Sequence, residues 1–129
     1  MSVPEELRYT NEHEWVSISG SSASVGITDH AQRALGDVVY VSVPAPGTEV
    51  KAGEPCGEVE STKSVSDIYS PVDGEVTEVN EEVDKSPGLV NSDPYGAGWL
   101  FRVRLADDGE LPPGLLSAAE YEALTRDQE

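Results

Sequence analysis

The stretch Glu60-Ser-Thr-Lys-Ser-Val-Ser-Asp67 decides the expected architecture, because it places an isolated lysine between two runs that read as strands. Lys63 is one of only three lysines in the chain. It lies between two similar turn signals, Pro44-x-x-Gly47 and Pro71-x-x-Gly74. This arrangement predicts two quasi-equivalent halves, with Lys63 displayed at the turn that joins them.

The chain on both sides of this stretch predicts a mainly β protein. Asp37–Val43 is a β-branched run that is too short for a typical helix, and strand-like pieces interrupted by Gly and Pro continue as far as Val83. Alignment of the two turn signals brings Glu49-Val50 close to Glu75-Val76. Such spacing is typical of a small β-sandwich or barrel.

The N-terminal third predicts a hairpin followed by a short helix. Residues 15–18 and 23–27 flank a Gly-Ser-Ser turn, and the second run alternates with the period of two that strands show. Thr28 or Asp29 can then cap a helix that ends before Gly36, since serine, threonine and aspartate favour helix starts and glycine favours helix ends.

The C-terminal third predicts a last strand and a helix. A turn-rich connection at 87–98 leads into the alternating run 99–105. Further on, Ser117-Ala-Ala-Glu120 fits a capping box, which opens a helix through about Arg126.

Length and charge bound the class of protein. The chain of 129 residues is expected to form one domain over 1–129, with 1–6 and 127–129 loose. Its formal net charge of −17 disfavours nucleic acid and anionic membranes, and it serves either solubility or steering toward basic proteins. The chain has no secretion or organelle-targeting pattern and no apolar stretch long enough to span a bilayer, so a cytoplasmic protein is expected.

The titratable residues predict no catalytic centre and no metal site. His13 and His30 have no ligand spacing, and both are expected to be structural. Cys56 is the only cysteine, which excludes an internal disulfide, and it is expected to be a small packing residue in a strand. Phosphate-binding glycine loops and hydrolase nucleophile elbows are absent from the sequence. The neighbours of Lys63 are acidic or bear hydroxyls, whereas a catalytic lysine needs burial or cationic neighbours, which argues against catalysis by the amine.

Lys63 itself has two interpretations on the residues alone. It is either an ordinary solvated lysine at a hairpin tip or an exposed amine to which a modifying enzyme attaches a long prosthetic arm. The pair Thr62-Lys63 is not the Asn-Gly or Asp-Gly that two-residue hairpin turns prefer. Together with the scarcity of lysine and the symmetry of the flanking runs, this favours the second interpretation.

Six blocks of sequence, found in the right order between about Leu7 and Glu122, resemble the H-protein family of the glycine cleavage system. The blocks are Tyr9-Thr-Asn-Glu-His-Glu-Trp-Val16, Val25-Gly-Ile-Thr-Asp-His-Ala-Gln32, Leu35-Gly-Asp-Val-Val-Tyr-Val41, Glu60-Ser-Thr-Lys-Ser-Val65, Ser70-Pro-Val-Asp-Gly-Glu-Val76 and Asn91-Ser-Asp-Pro-Tyr-Gly-Ala-Gly-Trp-Leu100. The resemblance implies a lipoyl/biotinyl-type hammerhead of two facing antiparallel sheets with quasi-twofold symmetry, plus short helices that include a C-terminal helix.

The resemblance also implies a non-catalytic carrier subunit in which Lys63 bears (R)-lipoate in amide linkage. A lipoate ligase or a lipoyl/octanoyl transferase would attach it. A pyridoxal-phosphate glycine decarboxylase then loads an aminomethyl group onto the lipoyl sulfur, and a folate-dependent aminomethyltransferase removes it. A dihydrolipoyl dehydrogenase reoxidises the dithiol.

A carrier of a water-labile group needs a shelter, because water would destroy the loaded intermediate. The resemblance implies that a cleft beside the Glu-His-Glu-Trp segment at 12–15 supplies it. Glu12, Glu14 and Asp67 are expected to hold the protonated amine of the cargo there. The alternative for the two glutamates is a solvated strand edge.

Other carriers remain as alternatives. A biotin carrier usually has methionines beside its lysine, where this chain has Thr62 and Ser64. A lipoyl domain of another multienzyme complex, a protein that relays lipoyl groups to other enzymes, and an unmodified acidic interaction module are the other readings. Thr62 also stands where many H-proteins carry an apolar residue. Trp15 and Trp99 are expected in the core or the cleft wall.

Overall fold

The fold is taken from a computed structural model that describes residues 4–105 and 115–128. Within these residues nine strands and four helices follow one another. The strands are β1 (Arg8–Tyr9), β2 (Glu14–Ser19), β3 (Ser22–Ile27), β4 (Val38–Ser42), β5 (Glu49–Val50), β6 (Pro55–Ser61), β7 (Val65–Tyr69), β8 (Gly74–Val79) and β9 (Phe101–Leu105). The helices are α1 (Asp29–Leu35), α2 (Glu81–Lys85), α3 (Leu89–Ser92) and α4 (Ala118–Gln128).

The strands form two antiparallel sheets, which confirms the predicted fold class. A six-stranded sheet has the order β1-β2-β3-β9-β8-β5, and a three-stranded sheet has the order β4-β6-β7. The main core contains valines from both sheets, including Val25 and Val103 from the larger sheet and Val41 and Val59 from the smaller one. These β-branched side chains suit the pleated inner faces, and their burial is the main stabilising term.

The two turn signals lie beside each other, as their alignment predicted. Glu49 is the cross-strand partner of Glu75 in the β5–β8 pair. The backbone N–H of Gly47 donates to the carbonyl of Val76 over 2.8 Å. The two halves are therefore joined where the two turn signals meet.

The N-terminal hairpin forms as its alternation predicted. β2 and β3 pair from Glu14–Ile27 to Ser19–Ser22. Trp15 lies opposite Gly26, and a Cβ added to that glycine would be 2.6 Å from Trp15 Nε1. Gly26 is therefore the residue that lets the indole lie flat across the strand.

Both predicted helix caps are present. The Thr28 hydroxyl accepts from the N–H of Ala31 over 3.2 Å and starts α1, which ends at Gly36 with φ 82°. At α4, Ser117 N–H donates to the Glu120 carboxylate over 2.9 Å while Glu120 N–H donates to the Ser117 hydroxyl over 3.2 Å. This is the reciprocal pattern of a capping box.

Helix α4 builds a second apolar cluster on the other face of the large sheet. The cluster contains Leu7, Tyr9, Trp15, Ala118 and Tyr121. The rings of Tyr9 and Tyr121 stack with centroids 4.8 Å apart. Because of this cover, neighbouring residues of β2 are buried on both faces of the sheet.

Two expectations for the segment between β8 and β9 were wrong. The strand-like run expected to reach Val83 ends at Val79, and helix α2 follows. The Asn80 side chain starts it by accepting from the N–H of Glu82 over 3.1 Å. The connection at 87–98 contains the short helix α3, and the last strand begins at Phe101 rather than at residue 99.

Candidate functional site

Lys63 is exposed in the four-residue turn Ser61–Ser64 that links β6 and β7. The Ser61 hydroxyl holds this turn from inside, because it accepts from the N–H groups of Lys63 and Ser64 over 3.3 and 3.1 Å. The backbone N–H of Ser61 donates to the carbonyl of Ser64 over 2.8 Å. Hydrogen bonds to a side-chain oxygen thus stabilise this turn, which lacks the Asn-Gly pair that two-residue hairpin turns prefer.

The turn is also attached to the segment between α1 and β4. Thr62 N–H donates to the carbonyl of Asp37 over 3.1 Å. The adjacent Gly36 lies under the lysine stem, since a Cβ added there would be 3.4 Å from Lys63 Cε. Asn91 fixes this segment from α3, as its amide donates to the Gly36 carbonyl over 2.8 Å and accepts from Val38 N–H over 2.9 Å.

A cleft of about 460 Å³ opens next to the lysine turn. Its walls are Ser64 with strand β7, helix α1 and the segment 12–14 at the start of β2. Glu12, Glu14 and Asp67 all line it. The structure therefore brings the three carboxylates named from the sequence to one cavity.

The three carboxylates differ in their surroundings. Glu12 and Asp67 are exposed, whereas Glu14 is only 1% exposed. The Glu14 carboxylate accepts from the Thr10 hydroxyl over 2.6 Å and from the Tyr69 N–H over 3.1 Å. Glu12 is thus solvated, in the turn before β2, whereas the alternative of a solvated strand edge does not describe Glu14.

Burial sets the ionisation of Glu14. Desolvation raises the pKa of this carboxyl from 4.5 to about 7, with the nearby Glu12 adding a smaller effect in the same direction. The hydrogen bonds from Thr10 and Tyr69 lower the pKa and offset only part of the rise. Glu14 is therefore a buried acid that gains its charge near neutral pH, and a cation in the cleft would stabilise that charge.

The cleft wall formed by β7 also carries unpaired backbone groups. Among the strands that the structure describes, β7 is an edge strand with β6 as its one sheet neighbour. Ser61 and Ser64 form a hydrogen-bonded pair, and hydrogen-bonded pairs alternate along an antiparallel ladder. The backbone N–H and C=O groups of Val65 and Asp67 therefore face away from β6, on the cleft side.

His13 joins the cleft to the C-terminal helix. It has a φ of 70°, the left-handed region that non-glycine residues rarely enter. Its Nδ1 lies 2.8 Å from the Tyr121 hydroxyl, which in turn lies 2.6 Å from the Thr28 hydroxyl. The His13 and His30 rings pack with centroids 4.6 Å apart. These contacts are those of the structural role expected for both histidines.

Replacing Tyr121 with phenylalanine is expected to lower the free energy of unfolding by about 1–2 kcal/mol, because the Thr28 hydroxyl and His13 Nδ1 lose a buried hydrogen-bond partner. Burial raises the pKa of Tyr121, so the phenol is protonated at neutral pH and can donate. Chemical denaturation of both proteins measures the difference. Tyr40→Phe, at a side chain 51% exposed, is the matched control, and an equal effect in both would contradict this role.

The remaining candidates from the sequence lie outside the cleft. Trp15 is buried in the second apolar cluster, and its Nε1 donates to the carbonyl of Pro94 over 2.9 Å. Trp99 packs against the same cluster beneath the Arg102 guanidinium. Cys56 packs against the main core, and burial raises the pKa of its thiol to about 12, which leaves it unreactive at neutral pH.

Several residues that shape the site were not found from the sequence. Thr10, Asn91 and the backbone of Tyr69 act through contacts between distant segments, and no local pattern marks such contacts. Within residues 4–105 and 115–128, no group of three or more His, Cys, Asp or Glu side chains could hold a metal ion. None of the helices in the same ranges is long and apolar enough to cross a membrane.

Comparison with known proteins gives consistent matches over nearly the whole chain. The family model described as "Glycine cleavage H-protein" matches residues 7–128. The chain is 61% identical over 125 residues to a glycine cleavage system H protein of Beutenbergia cavernae, covering 97% of this chain and 98% of the relative. It is 60% identical over 124 residues to that of Streptomyces coelicolor, covering 95% and 97%.

A solved structure resembles the fold as closely. The crystal structure of a glycine cleavage system H protein from Mycobacterium marinum superposes with a TM-score of 0.88 at 44% sequence identity. The match covers 96% of this chain and 99% of that one.

Proposed function

We propose that Lys63 carries (R)-lipoate in amide linkage to its ε-amine, because this chain belongs to the glycine cleavage H-protein family. The chain is the lipoyl carrier of the glycine cleavage system. The observation that supports Lys63 is its position: it is an exposed amine on a hydrogen-bonded turn, and the next residue, Ser64, lines a cleft that contains three carboxylates. We also propose that residues 1–129 form one lipoyl-carrier domain with no turnover of its own.

The residues around Lys63 fit a lipoyl group. A primary amine is the group that an activated carboxylic acid converts to an amide, and Gly36 leaves room for the stem that carries it. When bound, the dithiolane would supply thiol–disulfide chemistry to three enzymes of the system, a pyridoxal-phosphate glycine decarboxylase, a folate-dependent aminomethyltransferase and dihydrolipoyl dehydrogenase. A lipoate ligase or a lipoyl/octanoyl transferase attaches the group in the cytoplasm.

The protein's own contribution is to bind and shelter the cargo. Glu14 supplies a carboxylate from the cleft floor, where low exposure strengthens its attraction for an ammonium group. Glu12 and Asp67 add negative charge at the exposed rim. The backbone groups of Val65 and Asp67 offer hydrogen bonds to an amide lying along β7, and the cleft walls exclude water from the labile group.

The test is reduction of the protein's own disulfide in the presence of glycine. Lipoylated protein mixed with a glycine decarboxylase and glycine is expected to expose one free thiol per lipoyl group, because loading the aminomethyl group opens the dithiolane. Thiol titration measures this, and omission of glycine is the control. A lipoylated protein that gains no thiol would contradict the function and favour relay of lipoyl groups to other enzymes.

A further inference from the structure

Three large apolar side chains are exposed to solvent close to the Lys63 turn. Among the described residues, Val39, Tyr40 and Val65 are the large hydrophobic residues left exposed, at 53%, 51% and 56%. All three belong to the three-stranded sheet. Exposed apolar groups gathered at one place, with polar residues around them, mark interaction sites.

A β-bulge creates this exposure. Val38 and Val41 are both buried, although Val41 is three residues after Val38. In a regular strand, residues on the same face are separated by an even number of positions. The β4–β6 register shifts between Val38 and Tyr40, so one extra residue is inserted in β4. The bulge turns both intervening side chains, Val39 and Tyr40, away from the core.

The exposed residues share one face of the sheet. Tyr40 of β4 and Val65 of β7 are both cross-strand partners of Glu60 in the central strand β6. The side chains of Tyr40, Glu60 and Val65 therefore form a row on the outer face. The next row on this face is Ser42, Glu58 and Asp67. Val65 and Asp67 also line the cleft, because β7 is the edge strand at which the outer face and the cleft meet. Asp37, the residue before β4, accepts a hydrogen bond from the lysine turn through its backbone carbonyl. The outer face thus combines apolar side chains with an acidic border, and Lys63 lies at its end.

We propose that this outer face, made by Val39, Tyr40 and Val65 with their acidic border, is the docking surface for the enzyme that acylates Lys63. The partner of stated chemistry is a lipoyl-attaching enzyme with an apolar recess beside its acyl site and lysine or arginine side chains around that recess. This inference rests on the proposed function, since it assumes that Lys63 is the residue modified.

We assign this surface to the acylating enzyme because of the short distance that its reaction requires. An enzyme that forms the amide must bring its acyl donor to bonding distance of Lys63 Nζ, so its surface must cover the residues next to that atom. The pairs Val38–Ser61 and Glu60–Val65 lie directly beside the turn. Enzymes that react with the far end of the arm have no such requirement, because the arm spans the gap.

The charge of the chain supports a basic partner. The formal net charge is −17, and Glu58, Glu60 and Asp67 place carboxylates on the docking face itself. Complementary charges raise the rate of encounter and select the partner, while the central aromatic and aliphatic side chains supply most of the affinity. Tyr40 is the expected anchor, because tyrosine is enriched among the residues that dominate interface energies.

The test is the kinetics of lipoylation with the unlipoylated protein as the substrate of a purified lipoate ligase. The double substitution Tyr40→Ser with Val65→Ser is expected to lower kcat/KM about tenfold through a higher KM, with kcat nearly unchanged, because it removes binding rather than chemistry. Intact mass as a function of time gives the rates. Tyr40→Phe keeps the ring and is expected to retain nearly the wild-type KM.

Charge variants test the acidic border. Raising the salt concentration is expected to lower the wild-type kcat/KM, and Glu58→Gln is expected to weaken this salt dependence. Glu54→Gln, at an exposed site that precedes the opposite end of β6, is the matched control and should keep the wild-type dependence.

The outcomes separate this inference from the proposed function. A wild-type KM in the folded double variant, with a lipoyl group still on Lys63, would overturn the docking surface alone. A wild-type protein that is not lipoylated on Lys63 would overturn the proposed function. Thermal unfolding of each variant identifies any loss of rate that comes from unfolding.

Discussion

Replacing Lys63 with arginine is expected to abolish lipoylation of the protein and leave its fold intact. Amide formation requires a neutral amine, and the arginine guanidinium stays protonated and is not a nucleophile at neutral pH. The turn is held by the Ser61 hydroxyl and by the carbonyl of Asp37, and the substitution changes neither. The measurement is intact mass after incubation with lipoate, ATP and a lipoate ligase: wild type gains one lipoyl group and Lys63→Arg gains none.

The other two lysines supply matched controls. Lys51 and Lys85 are also exposed, so Lys51→Arg and Lys85→Arg test whether exposure alone makes a lysine a substrate. Both variants are expected to gain the same mass as wild type. All three substitutions are at the surface, where the free energy of unfolding typically changes by less than about 0.5 kcal/mol. A lipoyl group on Lys51 or Lys85 of the wild-type protein would contradict the assignment.

Features set by short-range chemistry could be predicted from the sequence. The β2–β3 hairpin follows from alternation around a Gly-Ser-Ser turn, and the Thr28 cap and the Ser117–Glu120 capping box follow from side chains that bond a few residues away. The display of Lys63 follows from two turn signals that lie on either side of it. Each depends on residues close in the chain, where patterns carry most of their information.

Helix α2 was missed although its signals are present. Asn80 is a favoured N-cap residue, and Glu81 and Glu82 follow it in the first turn. The alternation of Val76 and Val79 with polar residues made the region look like one long strand. The competing pattern was the stronger one, because a helix of five residues shows hardly more than one turn of its own period.

The burial of Glu14 could not be predicted, since it depends on packing between distant segments. A glutamate before Trp15 at the start of a strand is typical of an exposed edge. In the structure helix α4 covers one face of β2, while Tyr69 of β7 approaches the Glu14 carboxylate from the other half of the chain. The bulge in β4 is of the same kind, because only the register with β6 reveals the extra residue.

Replacing Glu14 with glutamine is expected to stabilise the unloaded protein at alkaline pH and to remove a pH dependence of its stability. In the fold the pKa of Glu14 is about 7, above its ordinary value of 4.5. The folded state therefore binds more protons than the unfolded state between these two values, so wild-type stability falls as pH rises through this window. Since one pKa unit corresponds to about 1.4 kcal/mol, the loss above pH 8 is about 3 kcal/mol.

Glutamine has nearly the same shape and can still bond the Thr10 hydroxyl and the Tyr69 N–H, but it never ionises. The free energy of unfolding of Glu14→Gln minus that of wild type is thus expected to be smallest below pH 4.5, to grow between pH 4.5 and 7, and to reach about 3 kcal/mol above pH 8. Urea denaturation at a series of pH values measures it. A difference that does not change with pH would contradict a buried carboxyl that ionises near pH 7.

The same substitution separates stability from function. An ammonium group held in the cleft would stabilise the ionised Glu14 and lower its pKa, so the charge that destabilises the empty protein becomes favourable in the loaded one. Glu14→Gln is therefore expected to be lipoylated normally but to lose its aminomethyl group about tenfold faster than wild type, since a charge-assisted hydrogen bond contributes about 1.5–3 kcal/mol. Release of formaldehyde and ammonia over time measures the lifetime, and Glu58→Gln, on the outer face of the small sheet, is the control. An unchanged lifetime in Glu14→Gln would restrict Glu14 to a structural role and assign the cargo to Glu12 and Asp67.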